Sequence, residues 1–162
     1  MSLVKKICLL FLCVFMVACE NHIMYHSYHH FTRDGWKKSD TLLFHLAVND
    51  SLVNDSTPGL YVFDILVRNR TEYNYQNLLI AVKHNFPDSM VWKTDTLQFQ
   101  IADENGRWLG NGISGLYESS LTLDASPLVN PHRFTFKVVS LMQDSVLVGL
   151  NDLGVIAHKH KE

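Results

Sequence analysis

Apolar residues return at every second position along most of this chain. Leu42, Phe44, Leu46 and Val48 share one face, and Leu97, Phe99 and Ile101 stand opposite Gln98 and Gln100. Phe134, Phe136 and Val138 alternate with Arg133, Thr135 and Lys137. Successive side chains of an extended chain point to opposite faces, so this alternation marks half-buried strands rather than helices. Residues 60–68 and 78–84 are apolar on both faces and read as central strands; Leu121 and Leu123 mark a shorter one, and 146–158 holds one or two more. Turn-forming clusters punctuate the runs: Asn54 to Gly59, Phe86 to Ser89, Asp103 to Gly106, Ser126-Pro127 and Asn130-Pro131. About eight strands at hairpin-like intervals, with no helical period after residue 18, predict an all-β antiparallel sandwich, Ig-like or jelly-roll-like. It is expected over residues 41–162, with a core of Phe63, Ile65, Val67, Leu78, Ile80, Val82, Phe99, Phe134 and Phe136.

The N-terminus follows a different rule. Lys5 and Lys6 precede an unbroken apolar run, Ile7 to Ala18, of 12 residues. That is short of the roughly 20 residues that cross a bilayer and fits the apolar segment of a secretory signal peptide, expected over residues 1–18. Met16-Val17-Ala18-Cys19 has the form of a bacterial lipobox, although Met16 stands where Leu is usual. Small Ala18 admits the signal peptidase, and the Cys19 thiolate is the nucleophile that accepts a diacylglyceryl group. Residues 19–40 then read as a lipidated tether that merges into a first edge segment. All three cysteines lie at or before position 19, so the exported part has no disulfide and depends on its core.

Charge and motifs narrow the function by exclusion. The chain carries −2, or −4 without Lys5 and Lys6, and has no basic stripe, which argues against nucleic acid as a partner. Acyl chains rather than a polybasic patch are expected to hold it at a membrane. Gly110-Asn111-Gly112-Ile113-Ser114-Gly115 has the spacing of a dinucleotide fingerprint, but Leu116 to Leu123 is not the amphipathic helix whose N-terminus would hold a pyrophosphate. Ser114 fails as a nucleophile elbow because Leu116 stands where glycine is required. No carboxylate pair can be singled out for acid–base work, and no cofactor is called for. Asp40-Thr41-Leu42, Asp50-Ser51-Leu52, Asp95-Thr96-Leu97 and Asp144-Ser145-Val146 have the form of O-glycan acceptor triplets, which also occur readily at strand starts.

Two residue groups remain as candidate sites. His22, His26 and His30, four apart, would share a metal on a helix; on an extended segment, which Tyr25, Tyr28 and Phe31 favour, neighbours stand about 13 Å apart, and a polar tether is the preferred reading. Trp36, Trp92, Trp108, Tyr73, Tyr75 and Tyr117 lie in or beside expected loops, where they either seal the ends of the sandwich or bind a partner or a sugar ring. Trp108, Tyr117, Tyr73, Tyr75 and Trp36 are the candidate partner contacts, with the Asp103–Tyr117 loop foremost because a tryptophan among glycines joins apolar surface to a mobile backbone.

The order of landmarks resembles a known family. Tyr28-His29-His30-Phe31, Trp36 and Asp40 follow the lipobox cysteine. Leu66-Val67-Arg68-Asn69 and Tyr73-Asn74-Tyr75-Gln76-Asn77-Leu78 come next, then Asp95-Thr96-Leu97 and the run from Asp103-Glu104-Asn105-Gly106 through Arg107-Trp108-Leu109-Gly110-Asn111-Gly112. This pattern is similar to GldH, the gliding-motility-associated lipoproteins of the Bacteroidetes, with Asn74 departing from a proline often found between the two tyrosines. The resemblance implies a non-enzymatic envelope lipoprotein that works with other Gld lipoproteins and the type IX secretion machinery, and it supplies no catalytic residues. Glu20-Asn21-His22 lacks the acidic run of a surface-export signal, so the periplasmic face of the outer membrane is the expected location. A lipid-anchored glycan-binding module and a metal-binding periplasmic lipoprotein are the alternatives.

Overall fold

The computed structural model describes residues 23–47, 60–86, 88, 90–127 and 133–160. Two antiparallel sheets face each other. The first has the order β1-β11-β4-β8-β7, built from β1 (Ile23–His30), β4 (Leu60–Arg70), β7 (Asn111–Ile113), β8 (Leu116–Pro127) and β11 (Leu150–Lys159). The second has the order β3-β9-β5-β6, from β3 (Leu42–Ala47), β5 (Asn77–His84), β6 (Lys93–Gln100) and β9 (Arg133–Ser140). A two-stranded ribbon joins β2 (Trp36–Lys37) to β10 (Val146–Leu147). No helix occurs among the described residues.

The period of two becomes the inner face of this sandwich. All nine expected core positions are buried. Phe63 from the first sheet meets Phe136 from the second at 5.0 Å, and Phe86 closes against both Phe63 and Phe134. Ring pairs tilted or edge-on at these distances suit the aromatic quadrupole and fill the space between sheets. The two apolar runs occupy inner places, β4 between β11 and β8, and β5 between β9 and β6.

Two expectations are revised. Leu121 and Leu123 belong to the longest strand of the first sheet, of 12 residues, because β8 pairs with β4 along almost its whole length, and its polar Ser119, Ser120 and Thr122 need no core face of their own. The segment 146–158, expected to hold one or two strands, holds β10 and most of β11, and the strands that no run marks are β2 and β7, of two and three residues, too short for periodicity to show.

Strand direction gives the sandwich two distinct ends. At one, here the near end, β1, β4, β6 and β9 begin while β3, β5, β8 and β11 finish. At the far end lie the finish of β1 and β4, the start of β8 and β11, and the β2–β10 ribbon.

Candidate functional site

The outer face of the first sheet carries a row of charged side chains that crosses four strands. Alternation along β4 turns Asp64, Leu66 and Arg68 outward as Phe63, Ile65 and Val67 turn in, and register does the rest. His30 on β1 lies opposite Asp152 on β11, Asp152 opposite Arg68 on β4, and Arg68 opposite Glu118 on β8. The His30 ring Nδ1 bonds the Asp152 carboxylate, which is buried. Asn151 Nδ2 donates to Asp152 Oδ2 at 2.5 Å, and Arg68 Nη1 stands 3.8 Å from the same oxygen. Arg68 Nε donates to Glu118 Oε2 at 2.7 Å, a bond that raises the guanidinium pKa further. A buried carboxylate is tolerated only when its lone pairs are filled, and here three side chains surround it.

Tyr28 completes the row. Its ring lies 4.7 Å from the Arg68 guanidinium carbon and rests over Gly154, where a Cβ would come within 2.5 Å of the ring. Burial raises the Tyr28 phenol pKa, with Arg68 opposing the shift. Arg70 Nε donates to Asn151 Oδ1 at 2.6 Å, so the row continues into a far-end cleft of about 490 Å³ lined by Thr32, Arg33, Arg70, Glu72, Val148 and Gly149. A parallel bond joins Thr122 Oγ1 to Asp64 Oδ1 at 2.6 Å. These groups satisfy one another, and the result is a cross-braced polar strip.

The sequence-predicted aromatic residues separate into two sets. Trp36 is 1% exposed and stacks on Phe31 at 5.4 Å, and Tyr73 is 3% exposed with its hydroxyl donating to the Asn77 carbonyl at 3.0 Å. Both are plugs of the far end with no face left for a partner, which corrects their place among the contact candidates. Tyr75, Trp108 and Tyr117 are half-buried: Tyr75 meets Tyr73 edge-on at 61°, and Trp108 lies 5.6 Å from Tyr117. A glycan platform would join Trp108 to Tyr73 or Tyr75, and buried Tyr73 has no exposed face to give it.

Residues 103–117 are more ordered than a mobile loop. Asp103 Oδ1 accepts the backbone N–H of Asn105 and of Arg107, closing the first turn. Ala102 and Trp108 pair across it, and β7 then folds onto β8 through Ser114 and Gly115, both at positive φ. Gly112 lies beneath the Tyr117 ring, where a Cβ would come within 2.2 Å, so this glycine of the apparent dinucleotide fingerprint serves strand–ring contact. The double hairpin leaves Leu109 52% and Ile113 84% exposed beside the Trp108–Tyr117 pair. Sequence reasoning missed both, although an apolar residue next to glycine in a turn is the signal that finds them.

The described candidate histidines, His26 and His30, do not converge. His22 lies outside the described residues; His26 is exposed on β1, and His30 is engaged with Asp152 one strand over. The described residues contain no group of three side chains able to hold a metal ion. His84 is buried, contacts Asp95 Oδ2 at 2.7 Å and stacks on Phe136, a structural role.

Fold and surface together define an antiparallel β-sandwich with a self-satisfied polar face and a bare apolar hairpin at one end. The model of the GldH lipoprotein family matches residues 23–156, from the first residue of β1 into β11, and the chain belongs to that family. A gliding motility lipoprotein GldH homolog of Christiangramia forsetii is 38% identical over 77 residues, 44% of this chain and 47% of its own length. Gliding motility lipoprotein GldH of Flavobacterium johnsoniae is 27% identical over 113 residues, 70% of this chain and 66% of its own. The matched region thus spans about half to two thirds of these relatives. A family 35 carbohydrate binding module from Clostridium thermocellum covers 81% of this chain and 89% of its own at 8% identity and a TM-score of 0.40, a likeness too loose to bear on fold or function. The family is one of lipoproteins, which acyl chains hold at a membrane.

Proposed function

We propose that the chain is a non-enzymatic envelope lipoprotein and an accessory component of the gliding motility and type IX secretion machinery. Acyl chains on Cys19 hold it in the outer membrane, facing the periplasm, once the signal peptide of residues 1–18 is removed; these residues lie outside those described. The family match over the whole sandwich carries this reading, since β1 through most of β11 is then the family's working unit. The far-end hairpin is the contact for a protein partner: Leu109 and Ile113 offer apolar side chains on a backbone held by Asp103 and the β7–β8 pairing, with the Trp108–Tyr117 ring pair beside them. A rigid scaffold presenting a few bare apolar side chains avoids much of the ordering entropy that weakens flexible loops.

A photo-crosslinking residue at position 113, compared with one at position 45 on the outer face of the second sheet, tests this in living cells. Crosslinks to envelope lipoproteins or secretion and motility proteins are expected from position 113 and not from 45. Recovery of the protein alone from both positions counts against the complex-component reading. Replacing Cys19 with serine is expected to move the protein out of the membrane fraction, and unchanged retention refutes the anchor.

A further inference from the structure

The near end carries the opposite surface. The turn between β5 and β6 is closed by Asp88, whose carbonyl accepts the Val91 N–H at 2.9 Å and whose carboxylate accepts the Met90 N–H at 3.0 Å. That turn holds Met90 83% exposed, followed by exposed Val91 and Trp92, the longest run of bare large apolar side chains among the described residues. Beside it, Lys83 and Lys137 face each other directly across β5 and β9, and Leu43 lies exposed opposite Lys137 on β3. Like charges so placed repel one another. The Trp92 ring covers them, 5.6 Å from the Lys83 ammonium and 4.9 Å from that of Lys137. Lys93 and Arg133 are exposed at the same end. The nearby described acids are otherwise engaged, Asp88 with its own turn and Asp95 with His84. Indole beside lysine, with apolar side chains at the tip, suits the headgroup layer of a bilayer, where the ring and the ammonium groups both find partners.

Chain direction places this surface where a membrane would be. β1 begins at the near end, and Cys19 precedes Ile23 by four residues, a reach of at most about 14 Å. β1 touches β3, and only β9 separates β3 from β5, so the turn stands about 10 Å along the sheet from that edge. We propose that the Met90–Val91–Trp92 turn and the Lys83–Lys137 pair seat the near end on the anionic bilayer surface that the Cys19 acyl chains enter, directing the far-end hairpin away from it. This rests on Cys19 being the lipid anchor.

The lipidated protein, reconstituted in phosphatidylcholine–phosphatidylglycerol vesicles with bromine on the acyl chains, tests it. Bromine quenches only indoles close to the acyl layer; Trp36 is buried and, like Trp108, lies at the far end, so quenching reports Trp92. Flotation of the same sample separates the two readings: protein that does not float refutes the anchor, and the seating falls with it. In floating protein, quenching that disappears in Trp92→Phe is expected. Each lysine at an anionic surface multiplies the seated-to-unseated ratio about fivefold, so Lys83→Ala with Lys137→Ala lowers it roughly 25-fold. Floating protein whose emission is unquenched, or quenched equally in Trp92→Phe, overturns the proposal and leaves the turn free for a protein partner.

Discussion

The two ends of this sandwich handle aromatic and charged groups in opposite ways. At the far end Trp36, Phe31 and Tyr73 point inward, the charges of Arg68, Glu118 and Asp152 are spent on one another, and the His30 ring bonds Asp152. At the near end Met90 and Trp92 are bare and two lysines oppose each other with no acid between them among the described residues. Burial of large side chains and mutual satisfaction of polar groups stabilise a fold, whereas exposed apolar and like-charged groups contribute nothing to it. The far end therefore spends its outer-face charges on the fold, apart from a small bare patch on its hairpin, whereas the near end, sealed inside by Phe86 and His84, keeps an outer surface that has to be explained by what it meets.

The largest effect separating the ends is expected at Gly149. It sits at φ 88°, where side chains are strained, and a Cβ there would come within 2.3 Å of the Tyr73 backbone nitrogen. Gly149→Val should destabilise by about 3 kcal/mol or more in urea unfolding, whereas Met90→Ser should change stability by no more than about 0.5 kcal/mol. Equal effects would remove the distinction. Next comes the strip: Arg68→Leu removes one partner of the buried Asp152 carboxylate and should cost about 2 kcal/mol, reduced from a fully buried pair because Arg68 is partly exposed. Arg68→Leu combined with Asp152→Leu should recover part of that loss, and a purely additive double variant would show that the pair is not coupled.

Smaller still is the effect at Tyr73, which shows itself in pH. Burial raises its phenol pKa well above the ordinary value of 10.0. The neutral phenol is favoured in the folded state, so its contribution is complete below about pH 10 and is lost as pH rises beyond that. Tyr73→Phe should start about 1 kcal/mol less stable, through loss of the hydrogen bond to Asn77, but its urea midpoint should fall less steeply above pH 10 than that of the unaltered protein. Parallel decline of the two midpoints would mean that Tyr73 ionises without unfolding.

How much of this was legible in the sequence depends on how local each feature is. Phe134, Phe136 and Val138 declare their face because burial and strand periodicity act within a few residues, and the nine expected core positions were read that way, whereas Phe31, Trp36, Tyr73 and Phe86, which lie outside the regular strand runs, were not. The polar strip was invisible: His30 and Asp152 are 122 residues apart, Arg68 and Glu118 50, and only register brings them together. Trp36 and Trp108 show a different limit. Both stand near turn signals, yet one is a buried plug and the other half-exposed, since the ribbon that covers Trp36 pairs it with Leu147 from the far side of the sequence. Of the near-end surface only Trp92 was singled out in the sequence, while the exposure of Met90 and Val91 and the opposition of Lys83 and Lys137 needed the fold.

The smallest effect on stability is expected where the partner contact is proposed. Leu109 and Ile113 leave most of their surface in water, so Leu109→Ser with Ile113→Ser removes little buried area and should shift the unfolding midpoint by no more than about 0.5 kcal/mol. The hairpin itself persists, because Asp103 still closes the first turn and Ser114-Gly115 the second. If the far end meets a partner, the same double change should abolish crosslinking from position 111, exposed on β7 of the same hairpin, while Trp92 quenching by brominated lipid stays as it was. Loss of both signals together would indicate that the two ends are not independent surfaces, and persistence of crosslinking would move the contact away from the apolar hairpin to the polar strip beside it.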